Sequence, residues 1–411
     1  MSKDKFKTYS LGIFALFIAG SLVAFPEAAV EASLSGLKMW WNVVFPSLLP
    51  FFIISELLIG FGIVTFIGVL FEPFMRPIFR VPGVGGFVFV MGMASGFPAG
   101  AKITARLYQE EKLTKIEAER LACFTNFSNP LFMFGVLAVG FFKKPELGIV
   151  FALAHYIGNI GVGLCMRFYH PKSDLSARST ERFTPRIIMR AFQEMHIERL
   201  KNRKPIGKML GDAVHSSVTT LLMVGGFIIM FSVFNRILDE VHVTELLASS
   251  LHHLLLLFHL DPGLSSGIIP GLFEMTVGAK RLSTLQVPLF QAVVVTSFIL
   301  GFSGFSIQAQ VASILSEVKL NVKPFFVGRL IHGFIASLAT IFLLQYFNIS
   351  FEGATTSSVL SVTAPLENRL TSLVSYPEEW LHAGSLITFI TLITFVIYRG
   401  FLKSSYSNTK L

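Results

Sequence analysis

Apolar runs without a single Asp, Glu, Lys or Arg recur along the chain: Thr8 to Phe25, Leu121 to Phe142, Leu147 to Met166, Ala213 to Asn235, Leu282 to Ser316, Leu330 to Phe351 and Leu381 to Tyr398. A helix rises about 1.5 Å per residue, so roughly 18–20 such residues cross the ~30 Å hydrocarbon core of a bilayer. A further run, Met39 to Phe71, is interrupted only by Glu56. The pattern predicts an all-α polytopic membrane protein of about eight transmembrane helices.

Two stretches break the helical pattern inside apolar surroundings. Gly92-Met-Ala-Ser-Gly-Phe-Pro-Ala-Gly-Ala-Lys102 is one, and Pro270-Gly-Leu-Phe-Glu-Met-Thr-Val-Gly-Ala-Lys280 is its partial echo. Glycine and proline at this density mark turns, so both read as tips of re-entrant helical hairpins. Two further runs carry an interruption, at Thr125-Asn-Phe-Ser-Asn-Pro130 and at Gly301-Phe-Ser-Gly304. A helix broken within hydrocarbon frees backbone groups, and neighbouring polar side chains must satisfy them.

Charge between the runs sets the expected orientation. Lys3, Lys5 and Lys7 place the N-terminus in the cytoplasm by the positive-inside rule, and Glu27 and Glu31 then fall in a short outer segment. The next helix, from about Met39, is expected to kink at Pro46 and Pro50, which cannot donate backbone hydrogen bonds. A shorter piece, Phe61 to Phe71, leads to Glu72, Arg76 and Arg80 inside, and the mixed-charge stretch Lys102 to Arg120 also reads as cytoplasmic. The first hairpin, flanked by these, enters from the inside. In the second half Asp239, Glu240 and Glu245 mark the outer face, Leu246 to Leu260 reads as interfacial, and the hairpin Gly263 to Ala279 enters from outside. A final acidic loop containing Glu352, Glu367, Glu378 and Glu379 is outside, and Arg399, Lys403 and Lys410 are inside.

The two halves thus share an order of elements and oppose each other in orientation, as inverted-topology repeats. Their register agrees at Gly100 and Gly278 (278 − 100 = 178) and at Phe127 and Phe305 (305 − 127 = 178). The expected organisation is an N-terminal helix and outer loop over 1–38, a first repeat over 39–168, a basic loop over 169–208, a second repeat over 209–351, and an outer loop with a last helix over 352–411.

Composition agrees with a membrane protein. Hydrophobic residues make up 53% of the chain, charged residues 14%, and mean hydropathy is +0.65, which excludes a soluble globular domain. Much of the net charge of +9 gathers in the link from Tyr169 to Lys208, where ten Lys and Arg face four Asp and Glu, so it reads as a cytoplasmic loop or a patch for anionic lipid or a partner, with no nucleic acid required. The first run follows three lysines as a signal peptide would, but no small-residue cleavage site precedes Pro26, so it is read as a helix. Cys123 and Cys165 lie in apolar runs and read as small buried hydrophobes.

Hairpins and interrupted helices in inverted repeats are the parts of a secondary transporter, which binds substrate where the broken ends meet. Helix N-termini there favour anions. Ser95 and Gly96 form the first tip, and Asn126, Ser128, Asn129, Ser303, Ser306 and Gln308 are candidate substrate donors; each also fits a cap or an interhelical bond. Glu274, with Thr276 close by, stands opposite Gly96 in the register and could carry a coupling proton or cation; Glu56 is a weaker candidate. Lys102 and Lys280 either neutralise an anionic substrate or snorkel to headgroups. His215, His252, His253, His259 and His332 lack metal-ligand spacing, and there is no P-loop or nucleophile elbow, so neither an enzyme, a cofactor nor a metal site is expected.

The segments Trp40 to Phe52, Met91 to Lys102 and Phe124 to Pro130 closely resemble the YlbJ (SpoVV) sporulation integral membrane proteins of endospore-forming bacteria. That family belongs with the nucleoside-recognition Gate-domain proteins and is distantly similar to concentrative nucleoside transporters. The resemblance covers nearly the whole chain. It implies a protein of the outer forespore membrane, with both termini cytoplasmic, that moves dipicolinic acid from the mother cell. Dipicolinate is a flat dianion suited to helix N-termini, Asn and Ser donors and a lysine. The first tip here, Ser95-Gly96-Phe97-Pro98, departs from the polar acidic motif of the nucleoside transporters, so the resemblance does not by itself imply nucleoside specificity or their sodium site, and a nucleoside-type transporter stands as an alternative. A coupling H+ or Na+, self-association, and partnership with other sporulation membrane proteins are left open. The rival of a different class is a membrane scaffold or sensor that recruits partners through the basic loop.

Overall fold

The structure is a computed structural model that describes residues 3–171, 186–201 and 204–347. The expected span Leu381 to Tyr398, the acidic outer loop and most of the basic loop lie outside the described residues.

All regular elements among the described residues are helices. Helix α1 (Lys3–Ala24) bends by 101° into α2 (Pro26–Met39). The sequence predicts the next helix only from about Met39; it begins already at Pro26 and carries Glu27 and Glu31. Pro26 occupies the first helical turn, where its missing N–H is no loss, and Glu-Ala-Ala-Val-Glu-Ala is strongly helix-forming. A π-helical turn, Trp40–Val44, joins α2 to α3 (Phe45–Gly60). It lies directly before Pro46, whose missing N–H leaves the carbonyl four residues back without its usual donor. Trp40 Nε1 donates to the Leu221 carbonyl at 2.9 Å and pins this turn to a helix of the second half.

After an 83° bend at Gly62 (φ 79°), α4 (Ile63–Phe79) continues past Phe71, the expected end of the apolar piece, so Glu72 and Arg76 are helical. Arg76 bonds Glu72 at 2.6 Å and Glu117 at 3.0 Å. The first hairpin is α5 (Val84–Ser95) and α6 (Ala99–Gln109). Next come α7 (Lys115–Phe124), opened by a Thr114–Glu117 capping box, a non-helical stretch to Pro130, a π-helical segment Phe132–Phe141 and α8 (Leu147–Met166). The expected cytoplasmic stretch Lys102 to Arg120 is therefore the second part of α6, a turn and the first part of α7. Its last two residues are buried: Arg120 donates to the carbonyls of Arg80, Tyr169 and His170, and Glu119 accepts from Tyr169 OH at 2.9 Å and from the Asn321 N–H at 2.8 Å.

Beyond α9 (Arg186–Lys201), which packs on α4, the 35-residue α10 (Ile206–Glu240) runs about 52 Å. It is followed by α11 (Val243–Leu257), a hairpin of α12 (Ser265–Phe273) and α13 (Met275–Thr284), then α14 (Leu289–Phe302), α15 (Gly304–Glu317) and α16 (Lys323–Tyr346). Helix ends recur at the sequence offset: α5 and α12 end 273 − 95 = 178 residues apart, and α7 and α14 end 302 − 124 = 178 apart.

Among the described residues four stretches are long and apolar enough to cross a membrane: α8, α10, α14 with α15, and α16. Two more qualify if each bent pair is one span. Exposed Leu16, Leu222, Met230, Phe334 and Phe342 give the bundle the apolar exterior that a bilayer requires. Cys165, expected to be buried, is exposed on α8, whereas Cys123 is buried. Periodicity alone does not tell a lipid-facing apolar position from a core one.

The centre is a crossing of α8 and α16, with α7 and α14 against α16. Small residues permit the close approach. A Cβ on Gly158 would stand 2.3 Å from the His332 ring, and one on Gly301 would stand 2.7 Å from the Gly333 nitrogen.

Candidate functional site

Each hairpin tip rests on the break of its own half. In the first, Gly96 adopts φ 91°, a conformation that favours glycine, and turns the chain from α5 to α6. Cβ atoms on Gly92 and Gly100 would each lie 2.1 Å from the Thr125 carbonyl oxygen, so these two glycines let the break sit against the hairpin. Asn126 Oδ1 accepts from the Ala101 N–H at 3.1 Å, and its Nδ2 donates to the Ala122 carbonyl at 2.7 Å. Asn129 Nδ2 donates to the Ser95 carbonyl at 3.3 Å, while Oδ1 accepts from the Phe132 N–H at 2.8 Å. The polar side chains of the interruption thus occupy the backbone groups that it frees. Ser95, Asn126 and Ser128 are buried, and the hydroxyls of Ser95 and Ser128 have no hydrogen-bond partner.

In the second half, Ser303 and Gly304 both take φ 66° between α14 and α15. Gly304 packs against the backbone of Phe273 and Met275 at the second tip. Glu274 is the tip residue and is 8% exposed; its Oε2 accepts from the Val277 N–H at 2.8 Å, capping α13. Thr276 follows on α13, half-buried. Ser303 Oγ donates to the Phe302 carbonyl at 2.7 Å, Gln308 Nε2 to the same oxygen at 2.8 Å, and Ser306 is buried beside them on α15. Helix α6 packs on α15 and α13 on Phe132–Phe141, so each hairpin also touches the helix beyond the other half's break.

The two lysines stand apart from these clusters. Lys102 turns to Glu56 on α3, with Nζ 3.5 Å from Oε1, and donates to the Ser216 carbonyl at 3.3 Å. Lys280 is exposed.

Other groups at the first break come from distant parts of the chain. Arg329 is fully buried and donates to the carbonyls of Asn126, at 3.1 Å, and Cys123, and to Asn159 Oδ1 at 3.0 Å. His155 Nε2 accepts from the Ser128 N–H at 3.0 Å, and His332 Nε2 donates to the His155 carbonyl at 2.9 Å. Arg329 directly precedes the apolar run that begins at Leu330 and so looks like its polar edge, whereas α16 begins at Lys323 and carries it into the core. A charge six residues inside a helix of this hydropathy was the available clue. Among the described residues no group of three His, Cys, Asp or Glu side chains is close enough to hold a metal ion.

Residues 41–145 match the Gate family, described as nucleoside recognition. The sporulation integral membrane protein YlbJ of Bacillus subtilis (strain 168) is 56% identical over 343 residues, which cover 84% of each chain. An uncharacterized protein of Alkalihalophilus pseudofirmus is 33% identical over 116 residues, 28% of this chain and 25% of its own. No solved structure matches.

Proposed function

This chain belongs to the YlbJ family of sporulation integral membrane proteins, and from that premise we propose that it is a secondary transporter for a small organic anion. The anion is dipicolinate, carried from the mother cell across the outer forespore membrane. The observation that carries the reading is the attachment of the hairpins to α10. Lys102, on the first hairpin, bonds α10 at Ser216, and Arg281, at the end of the second, bonds it at Asp239 at 2.5 Å. Those positions are about 35 Å apart along a helix, close to the thickness of a hydrocarbon core. Hairpins anchored at well-separated points of one long helix, with recurrent helix ends 178 residues apart, support inverted repeats. Tips that meet breaks offer a site that can face one side of the membrane or the other.

Purified protein in liposomes is expected to accumulate labelled dipicolinate by counterflow, with excess nucleoside failing to compete. Flux no greater than in protein-free liposomes would overturn the proposal and favour a scaffold or sensor. Competition by nucleosides would favour a nucleoside carrier, the second reading, which the description of the matched family supports. Glu274 is proposed to couple transport to H+ or Na+, because it is the acid placed at a tip against a break. Glu274→Gln should keep counterflow exchange and lose accumulation driven by an ion gradient. Undiminished gradient-driven accumulation would remove Glu274 from the mechanism.

A further inference from the structure

The guanidinium of Arg329 has only neutral acceptors: two backbone carbonyls and the Asn159 amide oxygen. It lies 5.3 Å from the Phe325 ring centroid, and none of the ion pairs among the described residues includes it. The C-terminal end of α7 supplies part of a compensating charge, worth about half an elementary charge at a helix terminus. The remaining positive charge is buried without a counter-ion, an arrangement that a low-dielectric interior strongly disfavours and that in membranes marks function.

Unpartnered donors surround it. Because His155 Nε2 accepts from Ser128, its proton is on Nδ1, and that atom has no partner. The Ser128 hydroxyl and Arg329 Nε are also buried without partners. His155 and His332 stack with centroids 4.4 Å apart and close the cluster on the α8–α16 side. The second break has no counterpart: the first-half position equivalent to Arg329 is 329 − 178 = 151, a phenylalanine.

We propose that Arg329, His155 and Ser128 form a carboxylate-binding subsite, in which one carboxylate of a dicarboxylic substrate serves as counter-ion to the guanidinium. This rests on the reading of the chain as an organic-anion transporter and assigns that substrate's charged end to the first break. The break is covered by the first hairpin, through the Ser95–Asn129 and Ala101–Asn126 bonds, so withdrawal of that tip opens the subsite. Anion recognition by Arg329 at the first break and an acidic tip at Glu274 against the second are then separate, so substrate and coupling ion do not compete.

The test is dipicolinate binding to the purified full chain. Arg329→Gln should bind roughly 100-fold more weakly, the scale of a lost charge-assisted contact, while Lys38→Ala, at an exposed position on α2, binds as the parent does. Equal binding by a folded Arg329→Gln protein overturns the subsite and leaves the transport reading standing. No dipicolinate binding by the parent chain overturns both. Should Arg329→Gln not fold, Ser128→Cys in a chain without Cys123 and Cys165 replaces it. Saturating dipicolinate should then slow maleimide labelling at residue 128 at least fivefold, and labelling unaffected by bound dipicolinate overturns the subsite.

Discussion

Glu56→Ala should lower the stability of the purified protein by roughly 3–5 kcal/mol, because it leaves the Lys102 ammonium buried without its carboxylate. The two side chains are 13% and 14% exposed, so water screens the pair little. Ser216 Oγ donates to the same carboxylate at 2.9 Å, and the ammonium lies 4.7 Å over the Phe52 ring. All the groups that define this pocket are set for an ion pair. Replacing both partners by apolar residues of similar volume, Glu56→Leu with Lys102→Met, should be close to neutral, since desolvation of two charges offsets most of their attraction. Thermal melts of the single and double variants in one detergent give the coupling directly. A single variant no less stable than the double would show that the pair is not buried in the way described. The pair joins the first hairpin to α3 and α10, so the same cycle measures how firmly that hairpin is held.

Gly278→Ala should destabilise the second hairpin by about 1–3 kcal/mol, the range for forcing a methyl group into a filled interior. Gly278→Leu should prevent its arms from closing. The reason is backbone contact: a Cβ at Gly278 would stand 2.2 Å from the Gly271 Cα and 2.9 Å from the Gly267 carbonyl oxygen, and backbone cannot swing aside as a side chain can. Small residues at 267, 271 and 278 let α12 and α13 pack face to face, as small-residue spacing does in membrane helices generally. Gly226→Ala on α10 is the matched control, because a Cβ there meets nothing within 4 Å. It should raise the melting point slightly, by removing the entropic cost of glycine in a helix. Equal melting points for Gly278→Ala and Gly226→Ala would contradict the close approach of the two arms.

The breaks were legible because they are local. Gly96 and Gly304 have positive φ, and Pro130 and Pro98 limit the conformations of the residues before them, so a short window of sequence marks each interruption. The polar residues within the first break were legible too, since freed backbone groups in an apolar segment need partners nearby, and Asn126 and Asn129 supply them. The helix start at Pro26, ahead of the expected Met39, follows from a helix-forming composition that the charge pattern does not reveal. Cys165 was misplaced because an apolar run does not reveal which face meets lipid.

The sequence by itself determined that this chain inhabits a membrane and where its helices break, because hydropathy and backbone freedom are properties of neighbouring residues. Only the tertiary structure decided which buried polar groups satisfy one another. Arg329 meets Asn126 and Cys123 across separations of 203 and 206 residues, and Lys102 meets Ser216 across 114. Desolvation makes such pairings strong, and chain topology alone chooses the partners. That is why the lysines after the tips, conspicuous in the sequence, lie outside the break clusters, while an arginine at the edge of an apolar run lies at the centre.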